Sequence, residues 1–317
     1  MNILWIKDGK LGHEKQVRAL IDEIANTIDI NLTELTTGSK TNNIIEFISF
    51  GLIKNNKTKE EITKSYDLII GAGTNAHLKM ANLSKTQSSA KIVSILAPHF
   101  LLKNKFHFIC LPKHDSYKKF EQSKILYFEG SLSKVFDTGV DDKTGMIAVG
   151  GGNKHYKFNP ISLIGQINYM VSLYPTKQWS VYNSRRTSKE MNDHLENLQN
   201  QFSNVSFIKI TNKNSQEMYA KSIRTASIKL VTSDSVNMVY ECMSSSGKTV
   251  LLNMEPKKNN KIVKNINSLI HDRRIGYIES SKLADGLSSF SLKVQNKHMD
   301  ILREVEKLSF RLIKKIN

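Results

Sequence analysis

The sequence predicts a two-domain α/β protein whose sheets are mostly parallel. Its 317 residues are about twice the length of a common single domain. Short apolar runs of strand length alternate with stretches whose apolar positions recur every three or four residues, the pattern of a parallel sheet covered by helices. A strand, a glycine-bearing loop and a helix open the chain, and the same order restarts near residue 146. Each half therefore predicts its own Rossmann-like unit.

Residues 3–7 form the first predicted strand, followed by Asp8-Gly9-Lys10-Leu11-Gly12-His13-Glu14. Val17, Leu20, Ile21 and Ile24 then share one helix face. Residues 30–35 and 66–70 are strands, the latter running into Gly71-Ala72-Gly73-Thr74-Asn75-Ala76 and a short helix. Residues 91–96 and 106–111 are strands closed by turns at Pro98 and Pro112. Polar residues 134–144, with Asp137, Asp141 and Asp142 around Gly139, read as a linker, which sets the domains at 1–143 and 144–317. In the second domain 146–149 is a strand, Gly150-Gly151-Gly152-Asn153 its loop, and 161–173 a helix. Strands follow at 179–182, 205–210, 228–232 and 249–252. Residues 294–316 place Ile301, Val305, Leu308, Leu312 and Ile316 on one face of an amphipathic terminal helix, assigned to the second domain.

Hydrophobic residues make up 39% and charged residues 24%, a globular balance that excludes a disordered chain. No apolar run approaches the roughly 20 residues of a membrane helix. The first apolar stretch is short and runs into charge, so no export signal is expected. The Asn-x-Ser/Thr matches at Asn31, Asn82 and Asn204 then carry no glycan, and Cys110 and Cys242 fit a reducing, cytoplasmic setting. The net charge of +17 suits an anionic lipid surface or a nucleotide, although compositional drift also spreads lysines in this way. Helix-turn-helix, zinc-finger and RNA-recognition patterns are missing, so no nucleic-acid partner is expected.

Gly71-Ala72-Gly73-Thr74-Asn75-Ala76 matches a dinucleotide fingerprint in letters. It does not open its domain and lacks the acidic residue that would hold a ribose, so no nicotinamide cofactor is expected. Ser246-Gly247-Lys248-Thr249 ends like a phosphate loop, but Cys242 stands where its first glycine belongs, and Gly247 instead caps a helix before a strand. In Gly9-Lys10-Leu11-Gly12-His13 the glycines let backbone approach a ligand, and the next helix offers free N–H groups. His13 could take a proton from an attacking hydroxyl, with Asp8 and Glu14 as rival bases.

In the second half, Ser233, Asp234 and Ser235 stand between a strand and a helix, either as a plain N-cap or as a diphosphate site. Glu241, seven residues after Asp234, is expected on the same helix face, where a carboxylate can hold a ribose diol. Arg185 and Arg186, within Ser184-Arg185-Arg186-Thr187, follow a strand end and suit phosphate oxygens, or else are solvated. No Asp-x-Asp clamp, metal-spaced histidine cluster or Gly-x-Ser-x-Gly elbow is present, so neither a metal nor a serine nucleophile is expected.

Taken together and in order, Asp8-Gly9-Lys10-Leu11-Gly12-His13-Glu14-Lys15-Gln16, Gly71-Ala72-Gly73, Gly150-Gly151-Gly152-Asn153, Ser184-Arg185-Arg186-Thr187 and the stretch 232–241 resemble the mitochondrial fission ELM family. The resemblance implies a GT-B fold, two Rossmann-like domains facing a cleft, with the acceptor on the first domain and a nucleotide sugar on the second. Plant members are linked to recruiting a dynamin-related protein. Bacterial members look like sugar transferases of the cell envelope, including lipooligosaccharide synthesis. A more distant likeness to lipid-linked GlcNAc transferases implies His13 as base and Glu241 as ribose ligand, although Lys10-Leu11 stands where those enzymes have a longer glycine run. The implied partners are a nucleotide-sugar donor, a saccharide or lipid-linked acceptor, and an anionic membrane touched from the cytoplasmic side. The substrate-facing set comprises Gly9, Lys10, Gly12, Gly71, Gly73, Gly151, Gly152, Asn153, Ser184, Arg185, Arg186, Thr187, Ser233, Asp234, Ser235 and Glu241. The alternative is a non-catalytic adaptor that binds a partner protein at a membrane.

Overall fold

A computed structural model describes residues 1–37, 64–115, 121–282, 288–295 and 300–316. The chain forms two compact units, Met1–Lys134 with Glu304–Asn317, and Val135–Arg303.

In the first unit, β1 (Asn2–Lys7), β2 (Asn31–Thr36), β3 (Leu68–Ala72), β4 (Lys91–Ile95), β5 (Phe108–Pro112) and β6 (Ile125–Phe128) make one parallel sheet, ordered β2-β1-β3-β4-β5-β6. Helix α1 (Leu11–Ala25) follows β1, and α2 (Thr74–Leu83) follows β3. Val17, Leu20, Ile21 and Ile24 are all buried, as their spacing requires. Leu4, Ile6 and Ile69 pack with Ala76 and Met80 in the core beneath α2.

The second unit contains β7 (Asp141–Ala148), β8 (Gln178–Tyr182), β9 (Val205–Ile208), β10 (Ala226–Thr232), β11 (Lys248–Leu252), β12 (Gly276–Lys282) and β13 (Ser288–Lys293). Their order is β13-β12-β11-β10-β7-β8-β9, and β13 runs antiparallel to β12 at the edge. The helices are α3 (Pro160–Leu173), α4 (Lys189–Gln201), α5 (Lys213–Thr225), α6 (Val236–Met243) and α7 (Lys261–His271). The two-residue period of a strand sorts β7 between two cores. Ile147 and Val149 pack with Leu163, Ile167 and Leu195 of α3 and α4. Met146 and Ala148 pack with Tyr219, Ile223 and Val239 of α5 and α6.

Three expectations change. The terminal helix α8 (Glu304–Ile316) belongs to the first unit, where it packs on α1 and β6 with Val305, Leu308 and Leu312 buried. The Glu304 carboxylate accepts from Glu129 N at 2.7 Å, and Arg311 donates to Tyr127 O at 2.6 Å. Ile301 precedes this helix, and residues 296–299 of the expected helix lie outside the described residues. The polar stretch read as a linker already contains the exposed start of β7, and Pro112 ends β5 itself. Gly247 holds φ of +95° in the turn before β11, a left-handed conformation that suits glycine. No helix among the described residues is long and apolar enough to cross a membrane.

Central strand β10 is buried along its whole length, yet it carries Lys229 with no exposed surface. The ammonium reaches Ser245 Oγ at 2.6 Å, Cys242 O and Ser245 O at 3.2 Å, and Ser246 O. These groups lie at and beyond the C-terminus of α6, where unpaired carbonyls and the negative end of the helix favour a cation. Burial nevertheless pulls the Lys229 pKa down to about 8. Lys229→Met should cost about 1–3 kcal/mol by leaving those acceptors unpaired. The unfolded lysine keeps its proton to higher pH than the folded one. Wild type should therefore gain stability relative to Lys229→Met as pH rises from about 8 towards 10, in denaturant titrations at each pH.

Candidate functional site

In a parallel sheet every strand's carboxyl end and the start of every following helix share one edge. A crevice opens on that edge where the strand order reverses. In the first unit the chain goes from β1 out to β2 and returns to the other side of β1 at β3, so the reversal lies between β1 and β3. In the second it goes from β7 through β8 to β9 and returns beside β7 at β10, so the reversal lies between β7 and β10. The loops singled out by sequence leave these four strands, joined by the Ser184–Thr187 turn after β8.

At the first reversal, Asp8 leaves β1 with its side chain 2% exposed and its Oδ2 2.8 Å from His13 Nδ1. Asp8 Oδ1 accepts from Lys10 N at 3.1 Å, which closes the loop around Gly9, at φ of +77°. A carboxylate in that position accepts a hydrogen bond from Nδ1–H, which favours the tautomer whose Nε2 carries the free lone pair. Nε2 has no hydrogen-bond partner among the described residues. Gly73, at φ of +91°, brings the β3–α2 loop against this pair. A Cβ there would sit 2.1 Å from Asp8 Oδ2 and 2.6 Å from His13 Nδ1. Gly71 is excluded from carrying a side chain by Ile6 O at 2.7 Å, so its role is packing. Beneath the loop, His77 is buried with Nε2 3.2 Å from Ile95 O, and desolvation lowers its pKa to about 4, which keeps it neutral near pH 7.

At the second reversal, the centre is the Asp234 carboxylate, whose side chain has no exposed surface. Its Oδ2 accepts from Gly151 N at 3.1 Å and pairs with Arg186 Nη2 at 2.8 Å. Burial raises the Asp234 pKa, against the lowering effects of the Thr232 hydroxyl, Gly151 N–H and Arg186. Gly150 N donates to Thr232 Oγ1 at 2.7 Å, and Asn153 Nδ2 donates to Asp234 O at 2.8 Å. Thr187 Oγ1 donates to Gly150 O at 2.6 Å, while Ser184 Oγ accepts from Arg186 N at 3.2 Å. Three strand ends are thereby tied into one platform. Gly151 is indispensable, because a Cβ would lie 1.9 Å from Arg186 O, whereas a Cβ on Gly152 would meet only Phe158 Cβ, at an ordinary 4.0 Å.

The helix starts divide by position. Asn159, Ser188, Asn212 and Asn260 cap α3, α4, α5 and α7 with their side chains. Helices α1, α2 and α6, which flank the two reversals, have no side-chain cap.

Several expected roles shift. Glu14 accepts from Gly9 N at 3.1 Å and lies 3.7 Å from Lys7 Nζ, so it braces the loop, and Asp8 orients His13 rather than competing with it. Gly12 and Lys10 lie at the start of α1, where Lys10 is its exposed N-cap. Ser233 is buried and donates to Leu252 O at 3.1 Å. Ser235 is the N-cap residue of α6 without a side-chain cap bond, and Asp234 precedes the helix, so Asp234 and Glu241 do not share a helix face. Glu241 does lie within α6, half-buried, and accepts from Tyr219 OH at 3.1 Å. Asn153 Oδ1 is occupied by His155 N and Tyr156 N. Arg185 is exposed. Sequence reasoning missed Thr232, Tyr219 and the contact of Gly73 with the Asp8–His13 pair, none of which has a local signal. No group of His, Cys, Asp and Glu among the described residues is placed to hold a metal ion.

Gly73→Ala tests this geometry. The forced positive φ and the overlap with Asp8 should lower stability by about 1–3 kcal/mol. They should also disturb the His13 ring resonances in nitrogen-15 NMR, while Gly152→Ala leaves both unchanged.

Comparison with known proteins bears on the architecture. A search of curated protein sequences found no match. Among solved structures, the chain is similar to the UDP-GlcNAc 2-epimerase from Neisseria meningitidis bound to UDP-GlcNAc, with TM-score 0.57, 10% identity and coverage of 100% of this chain and 99% of that one. It is also similar to the UDP-GlcNAc 2-epimerase of Methanocaldococcus jannaschii in complex with UDP-GlcNAc and UDP (TM-score 0.50, 12% identity, 100% and 99% covered). A third is the S. aureus MnaA–UDP co-structure (TM-score 0.50, 10% identity, 99% and 95% covered). At such identities the likeness establishes the fold, which is GT-B-like. The family model described as mitochondrial fission ELM1 matches residues 11–307, and the chain belongs to that family.

Proposed function

We propose that this protein is a metal-independent glycosyltransferase that moves a sugar from a nucleoside diphosphate to a hydroxyl of a cell-envelope saccharide or lipid-linked acceptor. The observation that carries the reading is the Asp8–His13 pair at 2.8 Å, a proton acceptor with its own orienting carboxylate at a sheet reversal. His13 Nε2 takes the acceptor's hydroxyl proton as that oxygen bonds to the anomeric carbon. The bond from that carbon to the diphosphate oxygen breaks, and the electron pair leaves with the diphosphate. The second unit supports the nucleotide: Glu241 on the ribose, and the uncapped start of α6 with the Gly150–Asn153 loop facing the phosphates. The net charge of +17 supports contact with an anionic cytoplasmic membrane face, where a lipid-linked acceptor is presented. A second reading, a non-catalytic adaptor that binds a partner protein at a membrane, is favoured by the description of the matching family.

A thermal-shift panel of UDP-, GDP-, dTDP- and CMP-linked sugars separates these readings. At 100 times its dissociation constant, the donor should add about 2.7 kcal/mol of stability. Glu241→Ala should lose that shift. His13→Ala should keep it while transfer to an acceptor falls roughly 10²- to 10⁴-fold. If no nucleotide sugar stabilises the wild type, the adaptor reading replaces the transferase. If UDP-GlcNAc is converted to its C2 epimer without acceptor, the donor site stands and the transfer step falls.

A further inference from the structure

We infer that the nucleotide donor carries a ribose rather than a 2′-deoxyribose, and that Tyr219 is the positioning residue that sets this selectivity by fixing the Glu241 carboxylate. The inference rests on the nucleotide-sugar reading above, which puts a ribose on Glu241, and deepens it by naming the sugar of the nucleotide. Glu241 is half-buried in α6, and its Oε2 accepts from Tyr219 OH of α5 at 3.1 Å. Burial, and after it the charge of Glu241, holds the Tyr219 pKa well above its ordinary value, so the hydroxyl keeps the proton it donates. The ring that carries this hydroxyl is fixed as well. Tyr219 is 9% exposed and stands edge-on to Tyr182 of β8, with ring centroids 5.4 Å apart at 90°. Tyr182 is held in turn, its OH 2.8 Å from Ser222 Oγ on the next turn of α5.

A glutamate on a helix surface turns among several rotamers, and ordering it when a ligand binds costs entropy. The buried phenol orders Glu241 before any ligand arrives. At Asp234 the partner is a guanidinium, which opposes the charge of the carboxylate. A phenol carries no charge, so the Tyr219 contact orients Glu241 without opposing its charge. A carboxylate accepts about four hydrogen bonds, of which the phenol takes one. The neighbouring 2′- and 3′-hydroxyls of a ribose can both donate to the same carboxylate, in charge-assisted bonds. A 2′-deoxyribose lacks one of these donors and leaves an acceptor oriented for it unfilled.

The test measures binding of UDP and dUDP, GDP and dGDP, and CDP and dCDP by calorimetry on wild type, Tyr219→Phe and Glu241→Gln. For whichever base binds wild type, the ribonucleotide should bind roughly 10- to 100-fold tighter than its 2′-deoxy form. Tyr219→Phe keeps the buried ring, and Glu241→Gln keeps an acceptor for the phenol, so both variants should fold, as their melting temperatures report. Tyr219→Phe should shrink the preference for ribose roughly 5- to 10-fold, and Glu241→Gln should remove most of it. A structural role alone would weaken both forms alike and leave their ratio unchanged. An unchanged ratio in Tyr219→Phe beside a lost one in Glu241→Gln overturns the role of Tyr219 while the ribose contact stands. Absence of any preference in wild type, or a preference that survives both substitutions, overturns the inference while the nucleotide site stands. Failure of every diphosphate to bind wild type overturns both the inference and the donor reading beneath it.

Discussion

Each unit buries one aspartate within two residues of a strand end at its sheet reversal, and the geometry around both candidate centres depends on how those carboxylates are compensated. Asp8 is 2% exposed and Asp234 is fully covered. Removing a carboxylate from water costs several kcal/mol unless hydrogen bonds and a cation replace the solvent. The two solutions are alike. A loop N–H, from Lys10 or Gly151, supplies one hydrogen bond, and a basic side chain, His13 or Arg186, supplies the other partner. Glycines at 73, 150 and 151 are required because a Cβ at any of them would overlap the carboxylate or its partner. The loops are therefore held by electrostatics rather than by apolar packing, at the edge where a sheet leaves room for a ligand.

The two basic partners differ in consequence. A histidine held through Nδ1 leaves its second ring nitrogen without a partner among the described residues. A guanidinium paired with the buried Asp234 carboxylate ties the β8 turn to the β10 loop while remaining 44% exposed. The same device leaves a ring nitrogen unengaged in one unit and ties three loops together in the other. Lys229 follows a related logic within the core, where a cation satisfies the carbonyls that α6 leaves at its end.

Much of the fold was legible because strands and helices imprint their periods. The α1 face from Val17 to Ile24 and the strand alternation in β7 both appear in the residue pattern. The first half of β7 escaped because Asp141 to Thr144 extend past the helix layer into solvent and carry no apolar signal. The terminal helix showed its apolar face but not its destination, since Val305, Leu308 and Leu312 would suit any apolar surface. For the site, the glycine loops fall at the carboxyl ends of the strands flanking the reversals because close backbone approach selects glycine. The pairing of Arg186 with Asp234 spans 48 positions and has no local signature. Ser233 and Asp234 looked like a cap in sequence because a strand-to-helix turn draws the same residues as a buried clasp.

The central claim is that the Asp234 clasp of the second unit frames a nucleoside diphosphate site, and hydrogen–deuterium exchange with and without nucleoside diphosphates tests it most directly. The account predicts slowed exchange in the loops at 150–153 and 184–187 and in the first turn of α6. Protection elsewhere, or none with any nucleoside diphosphate at saturating concentration, would contradict it.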